Sequence, residues 1–504
     1  MIDHPPSVAG ETLGSHAAHG PDLLGRLTNR VFSFPAAILA ILVAKAFWTC
    51  RSRIADPDIF WHLHNAERLL VTHHFPNFDT YSFTAAGAPW MNHSWLSELL
   101  FYSGFHAFGL QGLFVIAFVA VAILSVSIFL LCLSQTKDPL AAGIASAGGV
   151  VLGTVGFAPR TQLFGWLCFV AIFAILLCFR SNKPAPLWAI PVLFCLWINC
   201  NASWPFGLVV YGIVFAVGLI GRDLGPLAAA RWSASAIKKL SVTLALSIAA
   251  LFVNPFGYRL VGYPLDFALR QKLNVELVEE WASVNFNDSR GAIVLVVLGA
   301  VFLMALMPRK KWRIDDVALT AFALYGGLTH IRLLLPAGII LAPTLAPQLG
   351  EISSYRRGHE RRFVNAIFLV AVLALIVFAF PSTPQLHEQI RQYFPTEAVH
   401  YLKGHPQEGN MFNFYDWGGY LQWELPNAKV FIDSRADIFE YKGVLNDYFR
   451  IGVLDDSEEL LGRYDIKYVV YPPKTPLIYL LTKSGRWEQI YRDANAVILR
   501  SRRP

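Results

Sequence analysis

The sequence predicts a polytopic α-helical membrane protein of about 11 spans, with a mixed α/β extracytoplasmic domain at its C-terminal end. Three observations carry this. The 504-residue chain is 55% hydrophobic and 15% charged, where soluble domains carry about 25% charged residues. Apolar runs of near-membrane length recur through residues 31–381. Lys and Arg gather in alternate loops, as the positive-inside rule requires. The net charge of +7 is then a property of cytoplasmic loops and implies no nucleic-acid partner.

Residues 1–30 are mostly polar, with Pro, Gly and His, and read as a disordered cytoplasmic tail. The run at 31–49 is too long for a signal-peptide core and lacks a small-residue cleavage site, so it is expected to be an uncleaved first span. Further spans are expected at 110–134, 139–158, 162–180, 185–200, 205–221, 238–254, 290–307, 315–331, 333–349 and 364–381, which makes 31–381 a transmembrane domain. With the N-terminus inside, the inner loops hold fifteen basic residues and the longer outer loops nine. The inner set includes Lys137, Arg180, Lys183, Arg222, Arg231, Arg309, Lys310, Arg356 and Arg357. An odd number of spans places residues 382–504 outside. This segment has the size of a small domain. Strand-like "AKVFID" and "IKYVVY" alternate there with helix-like "DSEELLGRY". The expected location is a bacterial-type inner or plasma membrane. The six cysteines all lie in or beside apolar runs and none forms CxxC. They read as buried thiols, with no zinc site and no disulfide framework.

The outer face carries the candidate chemistry: a loop at 51–109, a loop at 255–289, and the C-terminal segment. The first loop opens with "IADPDIFWHLHNAERLL". Asp56 followed by Pro57 is a helix start. If the helix continues, Asp58, His62 and Asn65 share one face. A carboxylate, an imidazole and an amide grouped in this way suit a general base, a metal ligand, or both. Asp79, His93 and Glu98 are further polar positions in the loop, where Trp90 and Trp95 are suited to the interface. In the second loop, "NVELVEEWASVNFND" sets Glu279 and Glu280 beside Trp281. "LTHIRLLLPAG" sets His330 and Arg332 at the outer edge of apolar spans, where ionisable residues are costly and tend to be functional. A guanidinium there can clamp a phosphate bidentately. Arg160 in "GFAPRTQLF" is a second such group. "WINCNASWPFG" reads as a hairpin turn between spans.

A first span, an acidic motif at its outer end and a long loop with two surface helices resemble the opening of the membrane glycosyltransferases of the C-type fold. "DPDIFWHL" is similar to the Asp-Pro-aromatic-Phe motif of the oligosaccharyltransferase catalytic subunit, aligned through either Asp56 or Asp58. "MFNFYDWGGYLQWELPNAKVFIDSRADIFEY" resembles the Trp-Trp-Asp-Tyr-Gly region of that family, with Phe414 and Tyr415 where the tryptophans stand, then Asp416, Trp417, Gly418, Arg435 and Asp437.

The resemblance implies a glycosyltransferase that moves a sugar from a polyprenyl-phosphate-linked donor to an extracytoplasmic saccharide, lipid or protein acceptor. It makes Asp58 or Asp56 the catalytic carboxylate and Tyr415, Asp416 and Trp417 acceptor contacts, and it leaves a divalent metal as an open alternative. Donor phosphate contacts at Arg332 and Arg160 follow from the guanidinium chemistry, with His62, Glu280 and His330 in support. Loss of the tryptophan pair means that peptide recognition is not implied, and "GFAPRTQLF" lacks the acidic pair that binds metal in oligosaccharyltransferases. No nucleotide-binding loop is visible, which favours a lipid-linked donor. The alternatives are an oligosaccharide transferase or ligase that moves a lipid-linked glycan, and a non-catalytic transporter or assembly component of polysaccharide export.

Overall fold

The computed structural model describes residues 31–221, 227–228, 230–306, 311–353, 355 and 361–502. The expected tail at 1–30 and the basic positions Arg222, Arg309, Lys310, Arg356 and Arg357 lie outside the described residues. Each of the eleven apolar stretches carries a helix. Six helices are long and apolar enough to cross a membrane: Phe34–Arg51, Trp95–Thr136, Pro139–Gly156, Gln162–Arg180, Ser289–Leu306 and Ile331–Gly350. Arg362–Phe378 and Thr383–Tyr393, bent by 65°, form a seventh candidate as a pair. Ala189–Cys200, Pro205–Ile220, Ala234–Ala250 and Ile314–Thr329 are shorter, at 12 to 17 residues. The chain is an integral membrane protein. Helix Arg362–Phe378 has no buried residue and exposes Phe363, Ile367, Val370, Leu373 and Phe378, a surface only lipid accommodates without cost.

Small residues set the tightest packing. Helices Pro139–Gly153 and Leu334–Gly350 approach so closely that a Cβ on Gly149 or Gly338 would run into the other's carbonyl, the arrangement by which membrane helices gain van der Waals contact. The 42-residue helix Trp95–Thr136 is broken at Gly109, whose φ of 59° and ψ of −143° no L residue adopts easily. The first outer loop is therefore a helix at Ile59–Thr72, an irregular excursion, and a second helix that turns at Gly109 into the span. At the far end of helix Gln162–Arg180, the Arg180 guanidinium donates to Asp315 at 2.8 Å and to Asp316 at 2.5 Å. This buried cluster ties that helix to the start of Ile314–Thr329, away from the outer loops.

The C-terminal region is built on a four-stranded sheet in the order Asn410–Asn413, Ile466–Tyr471, Val497–Ser501, Trp487–Arg492. The first pair is parallel and the other two are antiparallel. "IKYVVY" is the second of these strands and "SEELLGR" is a helix. "AKVFID" is different. Val430 makes a single bridge to Ser82 of the first loop, so this segment is edge backbone recruited by the loop and not a strand of the sheet.

A buried ion triad holds the same junction. Arg435 donates to Asp433 from Nε at 2.8 Å and to Asp79 from its terminal nitrogen at 2.7 Å, with its guanidinium over the rings of Tyr81 and Trp90, both at 4.9 Å. Gly418 and Gly419 do not form the turn their pairing suggests. They open helix Gly418–Glu424, and a Cβ there would press on the Ile432 carbonyl and on the Pro57 carbonyl. Their lack of a side chain lets the C-terminal region seat directly on the loop that carries Asp56 and Asp58.

Candidate active site

The loop between the first span and helix Ile59–Thr72 places both aspartates. The helix begins at Ile59, with Asp58 at the position before it, two residues later than Asp56–Pro57 suggests. Asp56 makes a cap-like bond to the turn that precedes the helix and a second bond to Arg160. Its Oδ1 accepts the Asp58 backbone N–H at 3.0 Å, and its Oδ2 accepts Nε of Arg160 at 2.6 Å. Burial pushes the Asp56 carboxyl up from its ordinary range, and Arg160 pulls it back. Asp58 is half-buried; its Oδ1 accepts the Trp61 indole N–H at 3.3 Å. That indole also donates to Ser434 of the C-terminal region at 3.0 Å.

Arg160 reaches beyond Asp56 to the Glu280 carboxylate. Burial acts to lower the Arg160 guanidinium, but Asp56, Glu280 and Asp58 outweigh it and hold the group firmly charged. For Glu280, burial acts upward, and Arg160 and Arg332 outweigh it, so its carboxyl lies below the ordinary range. The Arg332 guanidinium lies over the Trp281 ring at 4.2 Å. The imidazole of His330 is in contact with the Trp281 carbonyl at 2.8 Å through Nδ1, which fixes the shelf on which Arg332 rests. Arg160, Glu279, Glu280, Arg290, Ile331 and Arg332 line a cleft of about 200 Å³.

Tyr415 and Asp416 come from the C-terminal region. Asp58 is the foremost negative charge acting on the Tyr415 phenol. Asp416 accepts the Tyr393 hydroxyl at 3.2 Å. Burial raises its carboxyl to about 6; the Tyr393 bond opposes this, and the negative Asp58, Asp56 and Glu279 add to it. Tyr415 and Asp416 thus lie within the electrostatic reach of Asp58, while the cleft itself is lined by Arg160, Glu280 and Arg332.

Two of the expected site residues do otherwise. His62 does not face the Asp58 carboxylate. Its Nδ1 contacts buried Glu98 at 2.8 Å, and Glu98 also accepts from Asn65 at 3.2 Å. Asn65 in turn accepts the Tyr81 hydroxyl at 2.8 Å. This closed network fastens the helix to Trp95–Thr136, so His62, Asn65 and Glu98 are structural. Trp417 is 4% exposed and spends its indole N–H on the Tyr393 carbonyl at 3.0 Å, so its ring packs behind Tyr393. Tyr393 itself was not singled out by the sequence, since "RQYFP" carries no motif. Tyr263, whose hydroxyl donates to Asp437 at 3.0 Å, was equally silent.

A divalent metal would compete with Arg160 for the Asp56 carboxylate. Among the described residues no group of three His, Cys, Asp or Glu side chains is set to hold a metal ion.

No protein-family model matches the chain, and no curated protein matches it in sequence. Its structure is similar to that of ArnT from Cupriavidus metallidurans bound to undecaprenyl phosphate, with a TM-score of 0.51 at 13% identity over 92% of this chain and 97% of that one. The apo state of the same protein gives 0.50 at 12% identity over the same shares. A mycobacterial arabinofuranosyltransferase, AftD, gives 0.47 at 15% identity over 94% of this chain and 41% of that one. The ArnT likeness, over nearly the whole of both chains, shows that the fold is the glycosyltransferase C-type fold.

Proposed function

We propose that the protein is a membrane glycosyltransferase that transfers a sugar from a polyprenyl-phosphate-linked donor to an extracytoplasmic acceptor. The observation that carries this reading is the pairing of Arg160 and Arg332 in one cleft beside two aspartates, one already bonded to Arg160. Support for a polyprenyl-phosphate ligand comes from ArnT, which is similar in fold and is bound to undecaprenyl phosphate.

Asp58 is the general base. Both oxygens of Asp56 are engaged, whereas Asp58 accepts through Oδ1 alone among the described contacts and is the foremost charge acting on Tyr415. Asp58 takes the proton of the acceptor hydroxyl as that oxygen attacks the anomeric carbon. The bond from that carbon to the phosphate oxygen breaks, and the polyprenyl phosphate leaves with the electron pair. Arg160 and Arg332 stabilise the growing charge; fixed cations in a dry site are effective there because they need no reorganisation. Asp56 positions Arg160 and the Asp58 backbone. Tyr415 and Asp416 orient the acceptor. The cleft and the C-terminal region lie on the extracytoplasmic side, and the N-terminus is cytoplasmic, in a bacterial-type inner membrane. The basic residues Lys137, Arg180 and Lys183 then sit at the cytoplasmic helix ends.

The test is turnover of a polyprenyl-phosphate sugar in proteoliposomes, read as released polyprenyl phosphate. Wild type should release it, and Asp58→Asn should release about 10²- to 10⁴-fold less. Equal release by both, or none by wild type with any such donor, overturns the reading.

A further inference from the structure

We propose that Glu280 sets the charge of the phosphate cleft so that it holds the donor but lets the product go; this rests on the reading of the cleft as the donor phosphate site. The cleft is lined by three cations, Arg160, Arg290 and Arg332, and by two carboxylates, Glu279 and Glu280. These five side chains sum to one positive charge, which Asp56, bonded to Arg160 from outside the lining, offsets, so the charge left for a phosphate is small and depends on each carboxylate. Glu280 bonds to Arg160 and lies within the field of Arg332. Glu279 is exposed and only loosely paired with Arg290, at 3.7 Å.

The chemistry gives this balance a consequence. A polyprenyl-phosphate sugar is a phosphodiester and carries one negative charge. Transfer cleaves the sugar to phosphate bond and leaves a phosphomonoester, which carries close to two charges at neutral pH, since the second ionisation of a phosphate monoester lies near pH 6. A cleft of unopposed arginines would bind this product more tightly than the donor and stall on it. A carboxylate already seated between the arginines takes back the position that the leaving phosphate vacates, and repels its second charge. Specificity here arises from a built-in repulsion as well as from attraction.

The experiment compares binding of undecaprenyl phosphate with that of its methyl phosphodiester, for the detergent-purified full chain and for Glu280→Gln. The variant should shift the preference toward the monoester on the order of tenfold, by loss of one close like charge. Glu280→Asp, which keeps the charge, should retain the wild-type preference. Glu280→Ala carries the same expectation as Glu280→Gln if the amide disturbs the loop. An unchanged preference in both neutral variants overturns the role of Glu280 while leaving the cleft's assignment intact. Arg332→Met separates the two: if it weakens neither lipid, the cleft does not hold phosphate and both readings fall.

Discussion

Arg160 and Asp56 are 104 residues apart and meet in an ion pair of 2.6 Å, Nε to Oδ2. This contact joins the loop after the first span to the loop before helix Gln162–Arg180, and it directs the rest of the Arg160 guanidinium at Glu280. The division of labour between the two aspartates follows from it.

Asp58→Asn and Asp56→Asn should therefore fail differently. The amide oxygen at 58 still accepts the Trp61 N–H, so stability should stay within about 0.5 kcal/mol while turnover collapses. Asp56→Asn leaves a buried cation with a weaker partner and should cost about 1–3 kcal/mol in addition to activity. Thermal melts and turnover on the same preparations separate the two; identical melting losses would contradict the assignment.

Arg332 stacks on Trp281 at 4.2 Å, so its planarity is used as well as its charge. Arg332→Lys keeps the charge but loses the stacked, bidentate geometry. It should raise KM for the lipid donor on the order of tenfold with kcat changed less. Full rescue by lysine would show that only a point charge is needed.

The Asp79–Arg435–Asp433 triad joins the first loop to the C-terminal region in a fully buried setting. Arg435→Met leaves two buried carboxylates facing each other and should destabilise by about 3–5 kcal/mol. Limited proteolysis should then release the C-terminal region first. A melt matching wild type would show that the loop and the region are held together by apolar contact alone.

Asp416 has its carboxyl raised to about 6, first by burial, with the nearby carboxylates adding to it. The folded chain holds this proton more tightly than the unfolded chain does. Its contribution to stability is present below the ordinary carboxylate range near pH 4 and is lost as pH rises through 6. Asp416→Asn should accordingly melt higher than wild type at pH 7.5, with the gap closing toward pH 4. A gap that is independent of pH would contradict the shift.

Apolar runs located each of the described helices long enough to span, because lipid imposes length and composition on each span independently of its neighbours. Arg332 and Glu280 were legible as a cation and an acid at a membrane edge. The start of helix Ile59–Thr72 falls two residues later than expected: Asp56 bonds the Asp58 N–H as a cap would, but the turn it closes precedes the helix, and its bond to Arg160, 104 residues on, is one that no local rule can see. His62 was grouped with Asp58 by helical spacing alone, whereas Glu98, 36 residues on, decides where its ring goes. "AKVFID" has strand composition, but its edge was taken by Ser82, from a loop almost 350 residues earlier. The Gly418–Gly419 pair reads as a turn until the close approach of Pro57 is known. Each miss is a long-range contact that overrides a local preference.

The most direct test of the central claim is mass spectrometry of lipids that co-purify with wild type and with Asp58→Asn. If Asp58 drives transfer from a lipid-linked donor, a polyprenyl-phosphate sugar should accumulate on the variant and be depleted on wild type. Identical lipid profiles without any polyprenyl species would contradict the account.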